Sequence, residues 1–467
     1  MEFIYISKKH YKEIGKELVE ILKKNSCYEE SSLTVIERQF SHGTLLVFSD
    51  NGANAFSNKE FFIDGYFIGD EVFHSNYVEL TDEHQTKLLT EYNTINGCFT
   101  YVSVTDNTLD VRSDVLSQYQ LFIADVEGIV ATFSNSIHLV KSALEFSGLK
   151  QDIDPLHSYA QCTYLSALSF LKISSNVRLL PFGHKLSLNP SGELFLEYIV
   201  SRRSLMGLDE KSSYQECLDE VKQRLIRETQ AIARFSEGKN ILVDLSGGVD
   251  SRLTLACIIG AEVKESFKFF NINNSLNKKA ADQIVAESLA VKFGLQGGQG
   301  VTEAVTGTAT KNSFYRINGG NKVLFGTYAY FGLLPAAFED YGEIKLNDYG
   351  RVTGYCGEHT RAPGPNLGNI VSAESQEFIH LATEAYLNNW FDTSKNNASK
   401  FIDPGSKSSL EAPLFEYITE IVNEVGDNKL LNTIFYLENR SRFHFGVRRQ
   451  VVTKLELFFH LWAHRYC

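Results

Sequence analysis

Residues Ile241 to Gly260 read ILVDLSGGVDSRLTLACIIG, and this stretch limits the fold more than any other. Ile241–Leu245 is a short apolar run of the kind that forms a buried strand. The polar loop Ser246-Gly247-Gly248-Val249-Asp250-Ser251 follows, and the apolar run after it opens a helix. Two adjacent glycines let the backbone approach a ligand closely, and hydroxyls flank them. Peptide N–H groups point out of the helix N-terminus, where the helix dipole favours an anion. The segment therefore predicts a phosphate site built from Leu245, Ser246, Gly247, Gly248, Val249, Asp250 and Ser251. The Asp250 carboxylate would repel a bare phosphate, and a magnesium ion held between the two resolves the clash. Neither G-x-x-x-x-G-K-[ST] nor a G-x-G-x-x-G after a strand occurs, so the common nucleotide fingerprints are excluded.

The flanking sequence divides by its periodicity. In residues 1–150 the runs Thr34–Arg38, Thr44–Phe48, Glu60–Ile68, Cys98–Val104 and Ile129–Phe133 are short, β-branched or aromatic, and read as strands. Residues 8–25, through Tyr11, Ile14, Leu18, Ile21 and Leu22, have helical spacing, as does His138–Phe146. This half is an α+β unit. Residues 151–205 connect, with strands Lys185–Leu188 and Leu194–Ile199 after turns at Leu180–His184 and Asn189–Gly192. From Ser212 the period lengthens: Tyr214, Cys217, Leu218, Val221, Leu225, Ile226 and Ile232 share a helical face. The loop strand and its helix come next, then a strand Ser266–Ile272 and a helix Lys279–Phe293 with Ile284, Leu289 and Phe293 inward. Strand–helix–strand–helix predicts an α/β unit with a parallel sheet, whose ligands bind at the carboxyl ends of strands. Residues 391–409 read as a mobile polar loop.

The chain has 467 residues, enough for two or three domains. Its net charge is −12, and no basic run interleaves with aromatics, so neither nucleic acid nor a membrane is expected as partner. The seven cysteines form no C-x-x-C pair and are odd in number, which argues against zinc and a disulfide framework. No apolar run of about 18 residues or signal peptide is present, and a cytoplasmic setting is expected.

S-G-G-V-D-S resembles the pyrophosphate loop of ATP pyrophosphatases, which cleave ATP to AMP and pyrophosphate. With its surroundings, the chain resembles the asparagine synthetase family along nearly its whole length, at uneven strength. Asn96-Gly97-Cys98-Phe99 and Phe133-Ser134-Asn135-Ser136 resemble that family's glutaminase-type domain, and Leu180-Pro181-Phe182-Gly183-His184 its P-P-G-H hairpin. The resemblance implies an N-terminal Ntn-hydrolase-like sandwich over 1–150, a connecting hairpin segment over 151–205, and a parallel-sheet ATP-pyrophosphatase domain (adenine nucleotide α-hydrolase-like) over 206–467. The family's nucleophile is a cysteine directly after the initiator methionine, where this chain has Glu2. Its Asn-Gly oxyanion pair corresponds to Asp64-Gly65, and a carboxylate there repels an oxyanion. Two losses imply a domain that does not hydrolyse glutamine.

Thr353-Gly354-Tyr355-Cys356-Gly357-Glu358 resembles the T-G-Y-G-x-D of β-lactam and carbapenam synthetases more than the S-G-E-G-x-D-E of asparagine synthetases. The resemblance gives Tyr355 the role of base, paired with Glu377 or Glu384, of which Glu384 is favoured; a core tyrosine under a loop is the other reading. It gives Glu358 the place of a second magnesium ligand beside Asp250, against a solvated loop acid. It places adenine near Phe269 and Phe270, with Gly354 closing the pocket. Asp282 matches an acid of the family at a helix start, and equally suits a first-turn acid favoured by the dipole. The family's C-terminal lysine finds no clear counterpart. Lys454, Arg448 and Arg449 offer positive charge, and Arg440-Ser441-Arg442-Phe443 resembles a helix of peptide-cyclising relatives, although a solvated helix face also explains these residues.

The expected function is an AMP-forming, ATP-dependent amide ligase using ATP and Mg2+. It would adenylate a small-molecule or peptide carboxylate for attack by an amine, without glutamine hydrolysis, in a β-lactam- or macrolactam-like closure. Amidation of a small metabolite or sugar acid with ammonia, and a non-catalytic nucleotide-binding protein, are the alternatives. The amine donor is left open, as is a homodimer.

Overall fold

The structure is a computed structural model that describes residues 1–11, 15–26, 33–50, 60–75, 78–105, 108–127, 129–149, 152, 154–164, 168–189, 193–208, 213–237, 240–270, 280–296, 349–354, 364–391, 405–446 and 457–460. Twelve strands build its N-terminal part: β1 (Glu2–Ser7), β2 (Leu33–Phe40), β3 (Gly43–Asp50), β4 (Phe61–Ile68), β5 (Val72–His74), β6 (Asn96–Val104), β7 (Leu109–Ser113), β8 (Phe122–Val126), β9 (Ile129–Ser134), β10 (Val177–Leu179), β11 (His184–Leu188) and β12 (Leu194–Tyr198). They form two six-stranded sheets, ordered β10-β8-β9-β1-β3-β2 and β12-β11-β7-β6-β4-β5. All the pairings in both are antiparallel. The stretch expected as a connector thus supplies β10 to one sheet and β11 and β12 to the other.

Strand alternation sorts side chains into layers. In β1, Phe3 and Tyr5 meet Leu45, Val47, Phe62, Val102 and Leu186 between the sheets. Ile4 and Ile6 face the opposite way, toward Leu18 and Leu22 of α1 (Lys16–Asn25) and Leu139 of α3 (Ile137–Phe146). On the second sheet Phe61, Ile63, Phe67 and Phe99 bury against Leu88 of α2 (Asp82–Thr90). Helix, sheet, sheet, helix is a four-layer sandwich. Of the helix expected over 8–25, residues 8–10 make a turn instead, and α1 begins at Lys16 after an extended Gly15.

Two short helices, α4 (Pro155–Tyr164) and α5 (Arg202–Leu205), lead to the long α6 (Tyr214–Phe235). Four strands then form a parallel sheet: β13 (Asn240–Asp244), β14 (Lys268–Phe270), β15 (Tyr349–Thr353) and β16 (Leu457–His460). Its order is β14-β13-β15-β16, with α7 (Val249–Gly260) between β13 and β14 in the chain, and α8 (Ala280–Phe293) after β14. A single core joins this sheet to the sandwich: Ile241, Val243, Leu255, Ile258 and Phe269 pack in one cluster with Tyr66, Ile68, Cys98 and Tyr119. A separate core holds α9 (Ser375–Trp390), α10 (Gly405–Val425) and α11 (Leu431–Phe435) together, and a π-helical run over Tyr436–Gly446 continues α11.

Four expectations need correction. The apolar face drawn along α6 is buried only from Leu225 onward; Tyr214 is 82% exposed and Leu218 47%, since the first turns run past the core. Ile284 is 62% exposed, because it sits two residues, or about 200°, around α8 from the buried Ala286. Residues 405–409 belong to α10, where Ser406 and Leu410 begin a buried stripe. Of the strand expected over Ser266–Ile272, Ser266 instead ends a 3-10 turn at Lys264–Ser266 and the strand begins at Lys268, while residues 271 and 272 lie outside the described residues.

Candidate functional site

The loop after β13 lies where the sheet changes direction. From β13 the chain passes through α7 to β14 on one side, and β15 lies on the other. At such a switch the two loops leaving neighbouring carboxyl ends diverge and leave a crevice. Leu245 is buried and anchors the loop, Ser246, Gly247 and Asp250 are half-buried, and Gly248 and Val249 are exposed. Gly248 stands at the N-cap of α7, where it has no side chain to bond the first turn of the helix.

Ser251 organises the loop from inside. Its hydroxyl accepts from the Ser246 N–H at 3.0 Å and lies 2.9 Å from Ser246 Oγ. It also reaches the Ser246 and Gly248 carbonyl oxygens at 3.0 and 3.2 Å. Ser246 Oγ accepts from the Gly248 N–H at 3.1 Å. These bonds hold the curl in advance of any ligand, and they place Ser251, 7% exposed, behind the loop surface.

Two neighbours close on this curl. A Cβ at Gly354, directly after β15, would lie 2.6 Å from the Asp250 carbonyl carbon and oxygen and 2.9 Å from the Ser251 nitrogen. A Cβ at Gly247 would lie 2.6 Å from Asp282 Oδ1 and 2.9 Å from Asp282 Cα. Only glycine permits both approaches. The structure therefore gathers the loop, Gly354 and Asp282, which are far apart in sequence. Phe270 ends β14 opposite Asp244, while the Phe269 side chain is buried in the core and its N–H donates to Gln296 O at 3.0 Å.

The other expected site residues are not joined to this loop by any contact among the described residues. Tyr355, Cys356, Gly357 and Glu358 fall outside the described residues, as do Arg448, Arg449 and Lys454. Glu384, like Glu377, is on the exposed side of α9, whose opposite side packs on α10. Among the described residues, no group of three His, Cys, Asp or Glu side chains gathers to hold a metal.

Arg442 is not on a solvated face. It is fully buried, its guanidinium donates to Leu180 O at 2.6 Å, and its own carbonyl accepts from Gln120 Nε2 at 2.9 Å. Burial lowers its pKa, partly offset by Glu438 and Asp114. Glu438 in turn takes two bonds from Arg202, at 2.6 and 3.1 Å, and one from Tyr417 at 2.8 Å. Burial opposes the Arg202 charge, but Glu438 and Glu424 outweigh it and hold its pKa above the ordinary value.

A second polar cluster lies in the sandwich. The Met1 amine donates to Asp64 Oδ1 at 3.0 Å, with both groups nearly inaccessible to water. Tyr119 and Asn135 donate to Asp64 Oδ2, and Asn135 also binds the Met1 carbonyl at 3.1 Å and the Phe3 N–H at 2.9 Å. The Gly65 N–H donates to Ser75 Oγ at 3.1 Å. Sequence reading compared Asp64-Gly65 with an oxyanion pair but missed Met1, Tyr119 and Asn135 as its partners; no local motif joins them. Asp64 is a counter-ion here, and Glu2 is buried in β1.

No family model and no curated protein matches the chain. Among solved structures it is similar to glutamine phosphoribosylpyrophosphate amidotransferase from B. subtilis complexed with ADP and GMP, at 11% identity and a TM-score of 0.24, over 83% of this chain and 92% of that one. It is also similar to an allosteric regulatory enzyme of purine biosynthesis (10% identity, TM-score 0.23, 60% and 67% covered). A third is glutamine-dependent NAD+ synthetase from Acinetobacter baumannii in complex with ADP (13% identity, TM-score 0.19, 95% and 84% covered). At these TM-scores no residue role is carried from them to this chain.

Proposed function

We propose that the chain is an ATP-dependent amide-forming ligase that releases AMP and pyrophosphate and does not hydrolyse glutamine. The observation that carries this reading is the Ser246–Ser251 loop, held curled by Ser251 at the carboxyl end of β13, at the strand-order switch, with Gly354 and Asp282 packed on it. A phosphate-sized anion suits the α7 N-terminus, and Gly247 and Gly248 let it approach the backbone. Asp250 would hold Mg2+ together with phosphate oxygens, with Glu358 as a second ligand, and the ion would neutralise charge on the leaving pyrophosphate. Loop N–H groups orient the α- and β-phosphates so that a carboxylate can attack the α-phosphorus in line. An amine then attacks the acyl-adenylate, with Tyr355 as base and Glu384 as its partner. The N-terminal part is read as an Ntn-like sandwich whose nucleophile position is closed by the Met1–Asp64 ion pair and whose Gly65 amide is taken by Ser75.

Carboxylate-dependent exchange of labelled pyrophosphate into ATP tests this. The expected result is Mg2+-dependent exchange with at least one small-molecule or peptide acid, abolished by Asp250→Ala. Tight ATP binding with no exchange across a broad acid panel would leave the non-catalytic reading standing instead.

A further inference from the structure

One arginine of the sandwich is half-buried and meets no carboxylate. Arg112 of β7 stands opposite Tyr101 of β6, and continuing the β7–β11 register sets Lys185 on its other side. Directly opposite residues share a sheet face. Glu197, Lys185, Arg112 and Tyr101 therefore form one row across four strands, with Phe195, Ser187 and Asp110 in the next row. Lys185 takes both acids, Glu197 at 2.9 Å and Asp110 at 3.4 Å, and Ser187 also donates to Asp110. Among the described residues the Arg112 guanidinium pairs with no carboxylate, and its Nε is buried without a hydrogen-bond partner. Such a cation is ordinarily paired when taken out of water.

Two rings hold it in place. The guanidinium carbon lies 5.5 Å from the ring centre of Tyr92, in the 3-10 turn Tyr92–Thr94, and 5.7 Å from that of Tyr101. Tyr92 is fixed by its hydroxyl, which donates to Ser113 O, and Tyr101 by stacking on Phe61 at 5.1 Å. Tyr101 has no exposed surface, and its hydroxyl is buried without a hydrogen-bond partner. Burial holds its pKa above the ordinary value against the pull of Arg112, so the hydroxyl remains a donor.

We infer that Arg112 anchors a binding site for an organic acid with one carboxylate on an apolar body. The site shares no residue with the loop after β13 and does not rest on the nucleotide reading. A guanidinium offers two N–H groups side by side, which match the two oxygens of a carboxylate, and the flanking rings keep water from competing. Asp110 and Glu197 on the same face repel a phosphate dianion more than a single carboxylate. Phe195, 44% exposed, supplies apolar surface two strands away. That is about 10 Å, the reach of an octanoate chain, and the Lys185 stem lies between the two.

Calorimetric titration of the full chain with sodium octanoate, without ATP or metal, tests this. Octanoate is expected to saturate one site, with 1-octanol and inorganic phosphate binding at least about tenfold more weakly. Arg112→Gln abolishes octanoate binding. Arg112→Lys, which keeps the charge and loses the planar fork, weakens it by about tenfold, and carries the test should the glutamine variant not fold. Phe195→Ser weakens octanoate but leaves butanoate unchanged. Asp250→Ala binds octanoate as the wild type does, so failure of the ligase reading would leave this site standing. The inference is overturned if the wild type shows no saturable octanoate binding, if phosphate binds as tightly, or if an Arg112 variant with a wild-type melting temperature binds octanoate unchanged.

Discussion

A methyl group at position 354 would press on the peptide between Asp250 and Ser251 at 2.6–2.9 Å. The atoms it meets are backbone in the first turn of a helix, which cannot swing aside as a side-chain tip can. Either β15 retreats or the loop curl opens, and the contacts made by Ser251 tie that curl to Ser246 and Gly248. Overpacking of this kind costs about 1–3 kcal/mol. Gly354→Ala should therefore lower the thermal midpoint modestly and weaken ATP binding by about tenfold or more, since 1.4 kcal/mol is a factor of ten. Titration calorimetry checks the affinity, and an unchanged dissociation constant would show that Gly354 does not shape the site. At this scale the loop was legible because S-G-G-V-D-S is contiguous. The Asp64 cluster was not, because its partners Met1, Tyr119 and Asn135 stand 63, 55 and 71 residues away. No spacing rule reaches across such separations.

Among the elements, α2 offers a pH test. Thr81 caps it, accepting from the His84 N–H at 3.2 Å, while the Thr81 N–H donates to His84 Nδ1 at 3.3 Å. Burial pulls the His84 pKa below its ordinary value, against the raising effects of Glu71 and Glu83. A histidine depressed in the folded state binds its proton more readily when unfolded. Its contribution is therefore whole above the unfolded pKa of about 6.5 and is lost as pH falls through that value toward the folded one. Protonated Nδ1 also ceases to accept from Thr81, so the reciprocal cap fails in the same window. His84→Gln keeps an acceptor at this position without the titration. Its urea-unfolding free energy should decline less than that of the wild type between about pH 7.5 and pH 5; parallel declines would remove His84 from the account. Elements were legible where a β-branched or aromatic run meets a signalled turn, as in β2, β3 and β4. Strand β1 was missed because Phe3 and Tyr5 face one core and Ile4 and Ile6 another, so alternation never shows. The exposed start of α6 misled for the opposite reason: Tyr214 and Leu218 continue an apolar stripe beyond the core that uses it.

For the whole molecule, the sandwich and the parallel sheet share one interior. Ile232 of α6, with no exposed surface, belongs to the cluster that also holds Tyr66, Ile68 and Tyr119 from the sandwich and Val243 and Phe269 from the parallel sheet. Asn96 donates to Glu228 of α6 at 3.0 Å along the same seam, while Gln118 donates to Ser441 at 3.1 Å and Arg442 to Leu180 between the sandwich and the π-helical run. Tyr119 spans the seam, with its ring in the shared core and its hydroxyl on Asp64. Sequence periodicity announced two kinds of unit but not this junction, whose residues are individually ordinary core positions. A shared core of this type couples the two parts in unfolding, because opening either one exposes the apolar surface that the other buries against it. Ile232→Ala, deep in α6, should cost about 2–5 kcal/mol. If the parts unfold as one, hydrogen exchange of slow amides in β4 and β6 should accelerate by the same factor as in β13, although the substitution lies outside the sandwich. Acceleration confined to β13 and α7 would mean that the sandwich keeps its own stability, and that the junction is a contact between two independently folded units.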